Sequence, residues 1–501
     1  MTPEPATGIA GRLAALERVD LGLALRPRGA VVEVGDGVAQ VVGLRRPGYE
    51  HLVRFDAGAQ GMAYDLGTAR TGVVLLSGAD RVRAGDGCVL THELPSVPVS
   101  PALLGRVIDP TGAPLDGHAA PLGTPRAVFQ PAPELMARDH VRRPLITGVM
   151  VIDVAVPIGR GQRQLLIGDR NVGKTSLALD VVAAQRDTGV LCVYVIIGQP
   201  LSRILRIADR LERAGARGHT VVVAADAAQT PGLQYLAPYA GATIAESFRD
   251  AGRDVLVIYD DLTKHADAYR ELALLLGRPP GREAFPGDIF YIHAELLERA
   301  TAMSPAAGGG SVTALPIVET TGSDISAYIP TNLISITDGQ VYLDAARFER
   351  NLRPAVDIGK SVSRIGGAAQ SPTVRAAARN VRIDMARFEA LEALTRVGLD
   401  VDPATLKALE RGRRLRELFR QPPLSARPVA EQILAITAVA RGWLNGLAPG
   451  EVRAAFWPAA ARARAAAPEL FERLAATGPP PEGWQDDLQR VFEVALTGSP
   501  R

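Results

Sequence analysis

Lysine is scarce in this 501-residue chain: of 56 basic residues only Lys174, Lys264, Lys360 and Lys407 are lysine, and the rest are arginine. Arginine is therefore the default cation, and a lysine inside a recognisable pattern is informative. Cysteine is scarcer still. Cys88 and Cys192 both lie in apolar, strand-like runs, which fits buried thiols in a reducing cytosol better than a disulfide or a metal site. Neither sign of charge dominates: 56 basic against 54 acidic residues leave a net +2, so bulk electrostatics gives no reason to expect a surface for nucleic acid or an anionic membrane, a local basic groove aside. No apolar run approaches the roughly 20 residues of a spanning helix. Met1-Thr2-Pro3-Glu4-Pro5 has neither the basic nor the apolar region of a signal peptide, so the protein is expected to stay in the compartment where it is made.

The length suggests about three domains. Residues 1–25 carry a Pro-rich stub and a short amphipathic pattern, with Ile9, Leu13 and Leu16 at helical spacing. Over residues 26–94 the period becomes two. Runs at 31–34, 38–44, 52–55, 72–76 and 88–92, divided by turns such as Gly35-Asp36-Gly37, predict five or six strands in a small closed barrel. Its only aromatics are Tyr49, Phe55 and Tyr64, too few for an RNA-stacking surface. Three prolines in residues 95–101 read as a linker. Residues 95–370 then alternate strand and helix, with strands at 164–167, 190–197, 220–225 and 255–259 and a helix at 238–251. This pattern predicts an α/β domain with a mainly parallel sheet and helices on both faces. Gly308-Gly309-Gly310 reads as a flexible loop. From 371 to 501 the pattern is helical, with prolines dividing it into about five helices of a bundle.

The chemistry gathers around Gly168-Asp169-Arg170-Asn171-Val172-Gly173-Lys174-Thr175, between the apolar run Leu165-Leu166-Ile167 and a helix-like stretch from Ser176. This is the spacing G-x-x-x-x-G-K-[ST] of a P-loop. Its glycines let the backbone wrap an anion, and N–H groups at the following helix start point at phosphate. Lys174 would reach the outer phosphates and the Thr175 hydroxyl would hold Mg²⁺. Asp260, after the apolar run 255–259, supplies the second acidic group, although an acidic helix N-cap is the bland alternative. A hydrolytic site also needs a carboxylate to polarise water, expected at the end of the strand after the P-loop helix. That strand ends Ile197-Gly198-Gln199-Pro200. An amide can orient water but cannot take its proton, so Gln199 implies binding with little or no turnover.

Beyond the P-loop, Ile158-Gly159-Arg160-Gly161-Gln162-Arg163, Leu233-Gln234-Tyr235-Leu236-Ala237-Pro238-Tyr239-Ala240-Gly241 and Arg278-Pro279-Pro280-Gly281-Arg282-Glu283 are distinctive. So are Pro330-Thr331-Asn332-Leu333-Ile334-Ser335 and Pro354-Ala355-Val356-Asp357-Ile358-Gly359-Lys360-Ser361-Val362-Ser363. Together these stretches resemble the α subunit of the F-type ATP synthases, the non-catalytic partner of the catalytic β subunit. The resemblance runs from residue 29 to about 440. It implies a RecA-like nucleotide-binding domain holding ATP or ADP with Mg²⁺ on the P-loop, Ser176 and Gln199. It places Phe348, Arg353, Pro354 and Gln421 around the adenine. Arg364 matches the arginine that the family's α subunit extends into the neighbouring β subunit's catalytic site. Implied partners are catalytic β subunits in an alternating hexamer, a γ shaft and stator subunits. No nucleic acid is expected, and membrane contact would come only through the membrane sector, at the cytoplasmic face of the cell membrane.

Departures stand beside these matches. Asn171-Val172 replaces the usual Gln-Thr, Pro423 falls where a second glutamine would assist adenine binding, and both the N-terminal segment and the loop at 308–310 are short. They raise a divergent, sodium-type variant, one without the usual δ subunit. Two competing readings remain. A self-sufficient ATPase of secretion or flagellar export type predicts glutamate at position 199, and a hexameric RNA motor predicts aromatic and basic residues on the barrel.

Overall fold

The computed structural model describes residues 28–396 and 402–497, so the expected amphipathic N-terminal segment lies outside it. The protein divides into two compact units at 93/94. In the first, six strands close into an antiparallel barrel: β1 (Arg28–Gly35), β2 (Val38–Val42), β3 (Leu52–Phe55), β4 (Gln60–Leu66), β5 (Thr71–Ser77) and β6 (Gly87–Leu90). The order is β1-β2-β5-β4-β3-β6, with β6 returning to β1. Alternate residues such as Val31, Val41, Val53, Val73 and Leu75 fill the interior. Phe55 belongs to the barrel core and Tyr64 is also buried, so Tyr49 alone of the three aromatics is exposed. The sixth strand, β4, escaped the sequence reading because glutamine, glycine and aspartate interrupt its apolar run.

The second unit is built on a twisted sheet. Eight of its ten strands form the main path: β7 (Val107–Ile108), β8 (Leu165–Asp169), β9 (Leu191–Gln199), β10 (Thr220–Asp226), β11 (Asp254–Asp260), β12 (Ser311–Thr320), β13 (Gly339–Leu343) and β14 (Val362–Ser363). In space they run β14-β13-β8-β12-β11-β9-β10-β7. All neighbours from β13 to β7 pair in parallel, and β14 is antiparallel to β13. Strands β9 and β10 are almost entirely buried, as a sheet covered on both faces requires. Helices α1 (Lys174–Ala183), α2 (Leu201–Arg213), α3 (Pro231–Asp250) and α4 (Leu262–Leu275) connect them.

Two expectations are corrected here, and the loop expected at 308–310 is found. The presumed linker at 95–101 contains a strand, Ser96–Val99, paired antiparallel with Thr124–Ala127; its prolines are tolerated because the ribbon has only two strands. Pro238 does not start a helix but sits inside α3, which begins at Pro231, where the ring's fixed φ suits a first turn. The glycines at 308–310 form a tight turn into β12. Gly309 N–H donates to Ser304 O at 3.0 Å, and a Cβ on Gly310 would stand 2.3 Å from Arg249 O.

After residue 371 the described residues form seven helices, not five: Pro372–Ala378, Val381–Arg396, Pro403–Phe419, Val429–Arg441, Pro449–Ala466, Pro468–Ala475 and Trp484–Thr497. Prolines mislead as punctuation because Pro403, Pro449 and Pro468 begin helices, while Pro458 lies within one. One apolar core runs without a break from Tyr194 and Leu315 in the sheet to Phe388, Leu418 and Phe456 in these helices.

Candidate functional site

Four functional side chains stand at or just beyond the carboxyl ends of four neighbouring parallel strands, β8, β12, β11 and β9, where open α/β sheets present ligand sites. The loop after β8 needs its glycines for separate reasons. A Cβ on Gly168 would lie 2.4 Å from Leu343 O on β13. Gly173 has φ +97° as it turns into α1, and Asn171 also adopts positive φ, at 62°. Asp169 anchors the loop by accepting from Ser323 N at 2.9 Å and Ser323 Oγ at 3.0 Å.

Lys174 is buried, and its Nζ donates to Gly168 O at 2.8 Å and Asp169 O at 2.6 Å. Burial lowers its pKa, while Glu319 and the nearby aspartates oppose that shift. Thr175 Oγ1 donates to Asp260 Oδ2 at 2.9 Å, and the buried Tyr194 hydroxyl donates to the same oxygen at 2.9 Å. Burial raises the pKa of Asp260; the Arg203 guanidinium is the strongest influence favouring its charged form. The helix N-cap is Asp261, not Asp260: it accepts from Lys264 N at 2.8 Å, leaving Asp260 to face the loop. Burial, followed by the charge of Asp260, pushes Asp261 up to about 7. The Thr175 hydroxyl and Asp260 carboxylate form an oxygen-only pair of the kind that suits Mg²⁺.

Gln199, at the end of β9, is buried with Nε2 3.5 Å from Asp261 Oδ2. The carboxylate closest to the P-loop lysine is instead Glu319 on β12, with Oε1 3.9 Å from Lys174 Nζ. Its other oxygen accepts from Arg170 Nε at 2.8 Å. Helix α2 brings two further arginines: Arg203 Nη2 donates to Thr175 Oγ1 at 2.9 Å, and Arg210 Nη2 to Ser176 Oγ at 3.0 Å. Sequence reasoning missed Glu319, Arg203 and Arg210. The signal for the arginines was present: Arg203, Arg206 and Arg210 recur at helical spacing beside the buried Ile204, Ile207 and Leu211.

These groups border a cavity of about 890 Å³. Residues 170–176, Gln199, Asp260, Phe348, Arg353, Pro354 and Gln421 all line it, as does Pro423; Gly168 and Asp169 form the backing of the loop. The Arg353 guanidinium lies 4.4 Å from the centre of the Phe348 ring. Gln421 braces the wall. Its Nε2 donates to Gly148 O at 2.7 Å and Ser425 O at 2.6 Å, and its Oε1 accepts from Met150 N at 3.2 Å. Arg364 is not in the cavity. It follows β14 on the surface, where Nη2 donates to Ile334 O at 3.3 Å, and it has no carboxylate partner among the described residues.

A P-loop and an aspartate facing its threonine at the carboxyl ends of one parallel sheet, bordering a single cavity, agree with what sequence comparison finds. The nucleotide-binding domain of the ATP synthase alpha/beta family matches residues 148–363, and the C-terminal domain of that family matches 370–495. The chain belongs to the ATP synthase alpha-subunit family. It is 46% identical over 439 residues to the ATP synthase subunit alpha of Caldanaerobacter subterraneus subsp. tengcongensis, covering 87% of each protein. It is 50% identical over 443 residues to ATP synthase subunit alpha 2 of Burkholderia thailandensis, covering 88% of this chain and 80% of that one. Identity to ATP synthase subunit alpha 1 of a Marinomonas species is 47% over 476 residues, 94% of this chain and 92% of the relative. ATP synthase alpha subunits are parts of an enzyme complex that makes or hydrolyses ATP, and nucleotide binding belongs to the matched domain. No helix among the described residues is long and apolar enough to cross a membrane.

Proposed function

We propose that this protein is a nucleotide-holding, non-catalytic subunit that alternates with catalytic β subunits around a γ shaft, with stator subunits attached outside. The observation that carries this reading is the pairing of an amide at position 199 with an exposed arginine that has no carboxylate partner among the described residues. Gln199 presents an amide where a hydrolytic site needs a carboxylate, and Arg364 is exposed with only a carbonyl partner.

ATP or ADP would lie in the cavity with its phosphates against the P-loop and Lys174 and its base between Phe348, Arg353 and Pro354. Mg²⁺, held by Thr175 and Asp260, would supply charge neutralisation at the outer phosphates. Arg364 would reach the neighbouring β subunit's site, where a planar guanidinium suits charge developing on a transferring phosphoryl group. Through the membrane sector, at the cytoplasmic face of the cell membrane, the assembly would couple ATP synthesis or hydrolysis to ion transport.

The competing self-sufficient ATPase requires a local base. Glu319 is the carboxylate available to it, and that group is engaged by Arg170 and faces Lys174. The deciding experiment is ATP binding and turnover by the purified protein, with and without a β subunit. The proposal expects nucleotide binding without sustained hydrolysis alone, and hydrolysis with β. Robust turnover by the protein alone would replace it with the self-sufficient reading.

A further inference from the structure

Asp180 lies on α1 six residues beyond Lys174, about 9 Å further along the helix axis. Among the three carboxylates that line the cavity it is the one turned away from the phosphate loop. Asp260 meets Thr175 and Glu319 faces Lys174, whereas Asp180 Oδ1 accepts from the backbone N–H of Leu424 at 2.7 Å. A negative charge in an anion-binding cavity opposes the ligand, so its place there calls for another role. Burial pushes Asp180 up to about 6, while the Leu424 N–H and the Arg210 guanidinium favour its charged form.

The turn that Asp180 meets has few ways to hold itself. Pro422 and Pro423 have no N–H, so Leu424 carries the only backbone donor of residues 422–424. Leu424 also sits at φ +56°, a left-handed conformation that a leucine keeps only where its surroundings fix it. Asp180 supplies that contact from the P-loop helix. The same turn abuts the residues assigned to the base: Gln421 N donates to Arg353 O at 2.8 Å, and Gln421 and Pro423 line the cavity with Phe348, Arg353 and Pro354. One helix thus carries Lys174 and Thr175 at its start and, within two turns, the anchor of this wall.

We propose that Asp180 is a positioning residue for the nucleoside part of the ligand. By holding the 421–425 turn through the Leu424 N–H, it fixes the wall beside the base relative to the phosphate loop, and so sets the preference of the site for nucleoside polyphosphates over inorganic polyphosphate. An inorganic chain meets only the P-loop end of the cavity and gains nothing from the turn. The inference rests on the nucleotide-holding reading.

Calorimetric titration of the purified full-length protein with ATP and with inorganic tripolyphosphate, both in Mg²⁺, tests it. Asp180→Ala should weaken ATP binding by more than about fivefold and leave tripolyphosphate within about twofold of wild type, since only the nucleoside end loses its anchor. Retained tripolyphosphate binding also shows that the variant is folded. Asp180→Ser, too short to reach Leu424, should behave like the alanine variant and serves if the latter fails to fold. Asp180→Asn keeps an oxygen that accepts the Leu424 N–H and should hold ATP within about twofold of wild type. An ATP loss under fivefold in the alanine and serine variants, an equal loss of both ligands, or an asparagine variant as weak as the alanine one overturns the inference and leaves the nucleotide-holding reading intact. Absence of ATP binding by wild type overturns both.

Discussion

Glu319 and Arg170 are joined by a 2.8 Å hydrogen bond across the mouth of the P-loop, while the other Glu319 oxygen faces Lys174. The pair places a negative charge beside the Lys174 amine, to which the proposed function assigns the outer phosphates. Glu319→Gln should therefore tighten ATP binding, by about three- to tenfold at low salt, because it removes a like charge and frees a guanidinium. Titrations of the variant at two ionic strengths measure this. Unchanged or weaker binding would mean that Glu319 orders the loop more than it repels the ligand.

Arg364→Ala should abolish cooperative multisite hydrolysis in the complex reconstituted with β and γ subunits, and nucleotide affinity of the isolated subunit should not change. Arg364→Lys should recover little activity, since an ammonium lacks the planar fork. Normal multisite turnover in Arg364→Ala rules out action on a neighbour.

Asp153 links pH to stability. Its carboxylate accepts from Thr147 N, Thr147 Oγ1, Gly148 N and Gln432 Nε2, yet full burial pushes it up to about 6. A carboxyl with a raised folded-state pKa contributes stability below its unfolded value and loses that contribution as pH climbs through the folded one. The window here runs from about 4 to about 6, with a range of at most about 3 kcal/mol. Asp153→Asn sets an amide NH₂ against donors and should cost about 1–3 kcal/mol. Denaturant unfolding should show a larger wild-type advantage at pH 4.5 than at pH 7.5; the opposite trend refutes the assignment.

Arg299 and Glu246 form a buried, two-pronged ion pair, with Arg299 also donating to Val128 O at 2.8 Å and Thr243 Oγ1 at 2.9 Å. Removing one partner strands the other charge in the interior. Glu246→Ala should destabilise the protein by about 3–5 kcal/mol. Thermal unfolding of the variant checks this, and a change under about 1 kcal/mol would show that water reaches the site.

The P-loop was legible because its chemistry is local: glycines, lysine and threonine act on one turn of backbone, and their spacing is the fold. Asp260 and Gln199 were legible because each ends an apolar run. Glu319 was not. Its strand β12 contains Pro316 and follows three glycines, both of which argue against a central strand, and it is accommodated between β8 and β11 by pairings remote in sequence. Arg203 stayed hidden for another reason. In a protein where arginine is the default cation, only the direction of α2 reveals which one meets Thr175. The extra helices past residue 371 escaped because proline marks a first turn as readily as an end.

Gln421 closes the cavity wall against Gly148 and Met150, some 270 positions earlier in the sequence. During synthesis the phosphate loop therefore leaves the ribosome long before the wall that completes its pocket. A nascent polypeptide stopped ahead of residue 421 would display Lys174 without the finished cavity wall. Because domains fold as their residues emerge, ATP can act as a folding ligand for this protein only near the end of translation or after release.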